Sequence, residues 1–63
     1  MKRKIKTKII NELKARFPRV RISESNEIYG SYKGKCCYLG DAEDDGTYFI
    51  LQKPEPRPWA DRM

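Results

Sequence analysis

Three tyrosines and the arginines near them are the side chains whose chemistry stands out first in this sequence. Tyr29, Tyr38 and Tyr48 are spaced so that, on adjacent strands, their rings would form a row across one face of a sheet. Aromatic rings stack on unpaired bases, and neighbouring guanidinium groups assist that contact. With Arg19 and Arg21 beside the row, we expect this face to be a candidate surface for single-stranded nucleic acid.

Two structural interpretations of the tyrosine row stay open. Tyrosine is a good strand residue, and cross-strand tyrosine pairs stabilise a half-exposed sheet without any ligand. Alternatively, the C-terminal residues fold back so that Trp59 and the prolines cover the rings. In either case the row would be structural, and the binding site would lie elsewhere.

The basic N-terminus is the second candidate site. Residues 1–21 carry nine Lys or Arg against one acid, whereas residues 22–52 carry two against six. Clustered cations attract nucleic acid, acidic proteins or anionic membrane, although lysine clusters also serve only to keep small proteins in solution. Contact with a phosphate backbone needs only mobile cations. The predicted contact residues are Lys2, Arg3, Lys4 and Lys8.

The remaining reactive side chains do not assemble a catalytic or metal site. Cys36 and Cys37 are adjacent and the chain has no histidine, so neither a Cys–His nucleophile nor the usual zinc spacing is present. The acids between Asp41 and Gly46 match the start of a calcium loop, but Gln52 stands where a glutamate is needed. We therefore expect free thiols, no cofactor, no metal and no enzymatic activity.

An amphipathic helix is predicted over Met1–Phe17. Pro18 ends it, because proline lacks the amide hydrogen and disfavours helix in the preceding residue. Lys6 falls inside the apolar arc, so the cations do not form one clean basic face. This disfavours a groove-reading helix and favours a basic, partly mobile arm of residues 1–4. The apolar positions at helical spacing are Ile5, Ile9, Ile10, Leu13 and Phe17.

Four strands follow, predicted at residues 19–23, 27–33, 35–39 and 47–52. We expect a short loop with Asn26 in the left-handed conformation, a two-residue turn at Lys33-Gly34, and a seven-residue acidic loop over Gly40–Gly46. These turns set Ile22 opposite Ile28, Ile28 opposite Leu39, Tyr29 opposite Tyr38, Gly30 opposite Cys37, Phe49 opposite Cys37 and Tyr48 opposite Tyr38.

These registers predict one buried face, although a slip of one residue would exchange the faces of a strand. The face away from the helix would then carry the tyrosine row. The inward residues are Val20, Ile22, Ile28, Cys37, Leu39, Phe49 and Leu51.

The sequence thus predicts a single α+β domain over residues 1–63, with an N-terminal helix on one face of a four-stranded antiparallel meander and an extended Pro-rich tail over residues 53–63.

We expect a small basic protein that binds nucleic acid, either single-stranded or through its backbone. The alternative is a protein-interaction module, such as a phage- or mobile-element-type inhibitor that docks an acidic or nucleic-acid-binding host protein. No apolar run approaches a membrane span, and no apolar segment typical of a secretory signal follows the basic N-terminus. Together with the expected free thiols, this predicts a cytoplasmic protein. Residues 47–52, if they form an edge strand, could pair with a second copy in a homodimer.

Overall fold

The computed structural model describes residues 2–57, which form one helix and a four-stranded antiparallel sheet. The strands lie in the sheet in the order in which they occur in the chain. The predicted α+β class and meander topology are therefore confirmed. The elements are helix α1 (Arg3–Leu13) and strands β1 (Arg21–Ile22), β2 (Glu27–Tyr32), β3 (Lys35–Ala42) and β4 (Tyr48–Pro56).

The core lies between α1 and one face of the sheet. Ile9 and Leu13 on α1 are 0% and 1% exposed, and Ile28 and Leu39 on the sheet are both 0% exposed. Because so small a domain buries few side chains completely, each of these contributes a large share of the stability, roughly 1.5–3 kcal/mol. The other buried members of the core are Phe17, Val20, Cys37 and Ala42.

Helix α1 ends one turn earlier than expected. Its last residue is Leu13, and the chain continues in turns in which the Phe17 amide donates to the Leu13 carbonyl at 2.8 Å. Pro18 disfavours helical conformation just before it, so the regular helix ends before that position. Phe17 nevertheless reaches the core, as its spacing predicted.

The start of α1 also differs from the prediction. The helix begins at Arg3, after Lys2 in an extended N-cap conformation. Arg3 and Lys4 therefore lie in the first helical turn and do not form part of a separate arm over residues 1–4. The helix holds their side chains at fixed spacing relative to Lys8.

The first hairpin has the predicted turn but a shorter first strand. Asn26 adopts the left-handed conformation (φ 64°), and Ile22 pairs with Ile28, as expected. Arg19 is also left-handed (φ 56°), which prevents the extended strand from beginning there. Val20 is still buried in the core.

The second hairpin confirms most of the predicted register. The turn at Lys33-Gly34 has both residues left-handed, as a two-residue hairpin requires. Leu39 is an extra residue on β3, so Ile28 lies opposite Gly40 and not opposite Leu39 as predicted. Such a bulge kinks the strand locally. The confirmed pairs are Tyr29 with Tyr38 and Gly30 with Cys37.

The third hairpin is tighter than predicted. Strand β3 continues to Ala42, which pairs with Tyr48, so no seven-residue loop forms. The turn is closed by the Glu43 amide, which donates to the Thr47 carbonyl at 2.7 Å. Gly46 takes φ 96°, a conformation that suits glycine.

This register exchanges the two faces of β4. Tyr48 and Ile50 pack against the core, whereas Phe49 is 53% exposed on the opposite face. The predicted pairs of Phe49 with Cys37 and of Tyr48 with Tyr38 are therefore wrong. The physical reason is the shorter turn, which shifts β4 along β3.

Strand β4 bulges away from β3 after its first residues. Ile50 pairs with Gly40 and Glu55 pairs with Tyr38, so residues 51–54 lie opposite a single residue of β3. Leu51, predicted to face the core, is half-buried in this bulge and lies outside the core cluster.

Part of the predicted tail belongs to the sheet. Residues 53–56 are extended, as expected, but they form the end of β4, where Pro56 pairs with Cys37. The rest of the predicted tail, including Trp59, lies outside the described residues.

Candidate nucleic-acid interface

Helix α1 presents the cations that were predicted to contact phosphate. Arg3, Lys4 and Lys8 are exposed on the helix, and Lys2 is exposed at its N-cap. Lys14, at the C-cap, is exposed as well, although the sequence had not indicated it as a contact residue. We call these five residues the helix cations. Within residues 2–57 none of them forms an ion pair, so their charge is available to an external anion.

The stability of α1 does not explain the cations at its start. The N-terminus of a helix carries partial positive charge, so a cation in the first turn costs about 0.3–1 kcal/mol. The first turn of α1 contains no acid, and Lys2 makes no side-chain hydrogen bond as a cap. No acid within the first turn offsets these cations, so they lie at this end at a cost to helix stability.

Glu12 is the only acid among residues 1–21, and the sheet engages it. The Tyr48 hydroxyl donates to Glu12 Oε2 at 2.9 Å. This hydrogen bond, together with burial and the negative charge of Glu12, raises the pKa of Tyr48. The contact directs the carboxylate toward β4, and Glu12 pairs with no helix cation within residues 2–57.

The predicted row of three tyrosines does not form. Tyr29 and Tyr38 are neighbours, with ring centroids 5.8 Å apart and planes at 57°. Tyr48 lies on the other face of the sheet, among the residues packed against the core. Tyr29 is only 1% exposed, and burial, followed by the charge of Glu27, raises its pKa. A ring this deeply buried has no open face for a base.

Arg57 is the residue of this face that sequence reasoning missed. Its guanidinium carbon lies 4.6 Å from the centroid of the Tyr38 ring, and it pairs with Glu55 at 3.1 Å and Glu27 at 3.8 Å. Burial and a hydrogen bond to Asp41 raise the pKa of Tyr38 to about 12. Arg57 was missed because the tail was expected to be separate from the sheet, so no pattern placed it beside Tyr38.

The two predicted arginines lie apart from the helix cations. Arg19 is exposed in its left-handed turn, and Arg21 is half-buried on β1. Arg21 and Lys6 line a groove of about 500 Å³, but Glu24 and Glu27 line the same groove. Two cations and two acids balance there, so this groove is not a concentrated positive site.

Acidic residues gather where the first and third hairpin loops meet. Asn26 Nδ2 donates to Asp44 Oδ1 at 3.2 Å, which joins the two loops. A Cβ added to Gly46 would lie 3.7 Å from Ile5 Cγ2, so the third turn lies against the start of α1. Within residues 2–57 no three potential metal ligands converge. The exposed acids, which we call the acidic rim, are Glu24, Glu43, Asp44 and Asp45.

The two cysteines point to opposite faces of β3, as adjacent residues of a strand do. Cys37 is buried in the core, Cys36 is half-buried, and both are free thiols. The Cys37 sulfur lies 3.6 Å from the Lys35 carbonyl oxygen, a weak local contact. Cys37 thus behaves as a small apolar core residue.

Comparisons of the chain with protein-family models, with curated proteins and with solved structures give no match. Within residues 2–57, no helix is both long enough and apolar enough to cross a membrane.

Proposed function

We propose that this protein binds nucleic acid through the helix cations. The observation that supports the proposal best is that these side chains are exposed and form no ion pair within residues 2–57. Lys4 and Lys8 lie one turn apart, about 6 Å along the helix axis, so both can contact one phosphate strand. The acidic rim disfavours phosphate at the end of the sheet next to the start of α1.

The tyrosines do not belong to this proposed site. Tyr29 is buried and Tyr48 packs against the core, so neither offers an open ring to a base, and the Arg57 guanidinium lies over the ring of Tyr38. Phosphate contact then supplies the affinity, and such binding weakens steeply as salt is raised. A binding role without catalysis suits a chain of 63 residues without histidine, and a cytoplasmic location remains a prediction from its free thiols.

A salt titration tests the proposal. Binding of a short fluorescent DNA duplex is followed by anisotropy between about 50 and 200 mM salt. If four phosphates are neutralised, the logarithm of the binding constant falls against the logarithm of salt with a slope of about −3.6. Lys4→Gln and Lys8→Gln each make that slope shallower by about 0.9.

The matched control is Lys53→Gln, which removes the same charge from an exposed position on β4. It leaves the slope unchanged if binding is localised on α1. A wild-type slope near zero, or an equal effect of Lys53→Gln and Lys4→Gln, contradicts the proposal.

A second candidate function is protein binding by the sheet face away from α1. Phe49 is 53% exposed there, and exposed aromatic side chains are enriched at protein interfaces. The partner would be an acidic or nucleic-acid-binding protein. A stoichiometric complex that is lost on Phe49→Ser and kept on Lys4→Gln would favour this function over nucleic-acid binding.

Homodimer formation through an edge strand stays a prediction. Strand β4 is the long edge of the sheet, but Pro54 and Pro56 remove two amide donors from it. Pairing with a second copy would therefore be restricted to the first residues of β4. Sedimentation equilibrium at increasing concentration measures the oligomeric state.

A further inference from the structure

We infer that the ligand of the helix cations is B-form duplex DNA, and that α1 enters its major groove with Asn11 facing the base edges. The inference rests on the proposed function, because it names the nucleic acid that the same surface would take. It also assigns one residue of the helix to base contact, on the basis of the arrangement of side chains around α1.

The side of α1 opposite the core carries two neutral polar residues. Ile9 and Leu13 define the buried side. Thr7 and Asn11 are exposed, one turn apart on the opposite side, and we call them the crown of the helix. Both side chains are short and carry hydrogen-bonding groups without charge.

Cations lie on both sides of this crown. At helical spacing, Arg3 and Lys14 fall on one side of it and Lys8 falls on the other, while Lys4 lies close to the crown on the Lys8 side. A helix in a DNA groove faces base edges with its outermost residues and has one phosphate strand on each side. Lys6, for which the sequence disfavoured a groove-reading helix, is half-buried in a groove of the protein and lies off this exposed side. The pattern across the exposed side of α1 therefore matches the pattern across the DNA groove.

The dimensions also agree with a B-form major groove. The 11 residues of α1 span about 16 Å, and a helix with its side chains is about 10–12 Å wide. The major groove of B-form DNA is about 12 Å wide and 8.5 Å deep, so it admits a helix. The major groove of A-form RNA is too narrow for side chains to read.

Asn11 is the crown residue best suited to read a base. Its carboxamide offers a donor and an acceptor, which together match the N6 and N7 atoms of adenine. Such a contact discriminates between base pairs, whereas the flanking lysines and arginine contact phosphate without regard to sequence. Asn11 would therefore set sequence preference, and the helix cations would set affinity.

Two measurements test the inference. The first compares binding of duplex DNA, duplex RNA of the same sequence and single-stranded DNA at one salt concentration, and we expect the DNA duplex to bind tightest. The second selects from a pool of DNA duplexes with a randomised centre, using the wild type and Asn11→Ala. We expect the wild type to enrich duplexes that share an adenine at one position by roughly 5- to 150-fold. Asn11→Ala should lose that enrichment.

The variant keeps the interpretation clear, since alanine favours helix more than asparagine and the domain should stay folded. Its salt slope should equal that of the wild type, because no cation has been removed. Equal binding of duplex RNA, or enrichment that survives in Asn11→Ala, overturns the inference but leaves phosphate binding by α1 intact. Absence of salt-dependent binding to all three probes overturns the proposed function and the inference together.

Discussion

Replacement of Lys4 by glutamine is expected to raise the stability of the fold. Lys4 lies in the first turn of α1, where its charge costs about 0.3–1 kcal/mol against the helix dipole. Lys8 follows at a spacing where like charges cost about 0.2–0.5 kcal/mol more. Because lysine and glutamine have similar helix propensities, the free energy of unfolding should rise by about 0.5–1.5 kcal/mol. For a domain of this size, that raises Tm by roughly 2–12 °C.

The same change is expected to weaken binding to DNA. One lost phosphate contact makes the salt slope shallower by about 0.9, so the difference from the wild type should be largest at low salt. Thermal melting followed by circular dichroism measures the first effect, and anisotropy titration measures the second. Opposite signs in the two assays would show that Lys4 is placed for binding at the expense of stability.

Lys14→Gln is the matched control, because Lys14 lies at the other end of the same helix. A cation there is favourable to the dipole, so its loss should lower Tm while it also weakens binding. The dipole argument is refuted if both variants shift Tm in the same direction. The binding argument is refuted if neither variant alters the salt slope.

Three further predictions concern the fold. Gly40→Ala should destabilise the domain by about 1–3 kcal/mol in urea denaturation, because the added Cβ would collide with the Phe49 backbone carbonyl; unchanged stability would contradict the β3–β4 register. Leu13→Asp should unfold the domain, whereas Phe49→Asp should barely change Tm, because the two residues are 1% and 53% exposed. An equal change in Tm for the two variants would contradict the assigned faces. The contribution of Tyr38 to stability should be fully present below pH 10 and be lost as pH rises through about 12, because folding raises the pKa of Tyr38 from 10.0 to about 12. Tyr38→Phe should therefore reduce the decline in denaturation midpoint across this range, and an unchanged decline would contradict the assignment.

The helix and the first two hairpins could be predicted because two independent signals agreed in each. In α1 the spacing of Ile9 and Leu13 coincided with a proline stop. In the second hairpin, alternation in the strands coincided with glycine in the Lys33-Gly34 turn. Where pattern and turn chemistry specify the same register, a slip by one residue is opposed by both.

The third hairpin lacked that agreement. The run from Tyr48 to Leu51 is apolar or aromatic at every position, so alternation does not indicate which side chains face the core. The signal that could have set the register was Asp45-Gly46, a dipeptide typical of tight hairpin turns. Asp45 also accepts hydrogen bonds from the Thr47 amide (3.0 Å) and hydroxyl (2.7 Å), which stabilise the short turn.

The candidate site was predictable only in so far as it depends on exposure and charge. The exposed cations of α1 follow directly from the helical pattern, because a residue opposite the apolar arc faces solvent. The tyrosine row depended on one cross-strand register, so the shorter turn was enough to remove it. The contact of Arg57 with Tyr38 depends on how the end of β4 pairs with β3 after the bulge. The prolines at positions 54 and 56 do not indicate that pairing.

The register of the third hairpin also affects the charge of α1. Glu12 lies four residues after Lys8, a spacing at which the two side chains can form an ion pair that would reduce the positive charge of the helix. Tyr48 faces the core side only because the turn is short. From there its hydroxyl donates a hydrogen bond to the Glu12 carboxylate. With Phe49 in that position, β4 would offer no hydroxyl, and Glu12 would be left to the cations four residues before and after it, Lys8 and Arg16. The register that removes the tyrosines as a stacking surface therefore also helps to keep Lys8 available for phosphate.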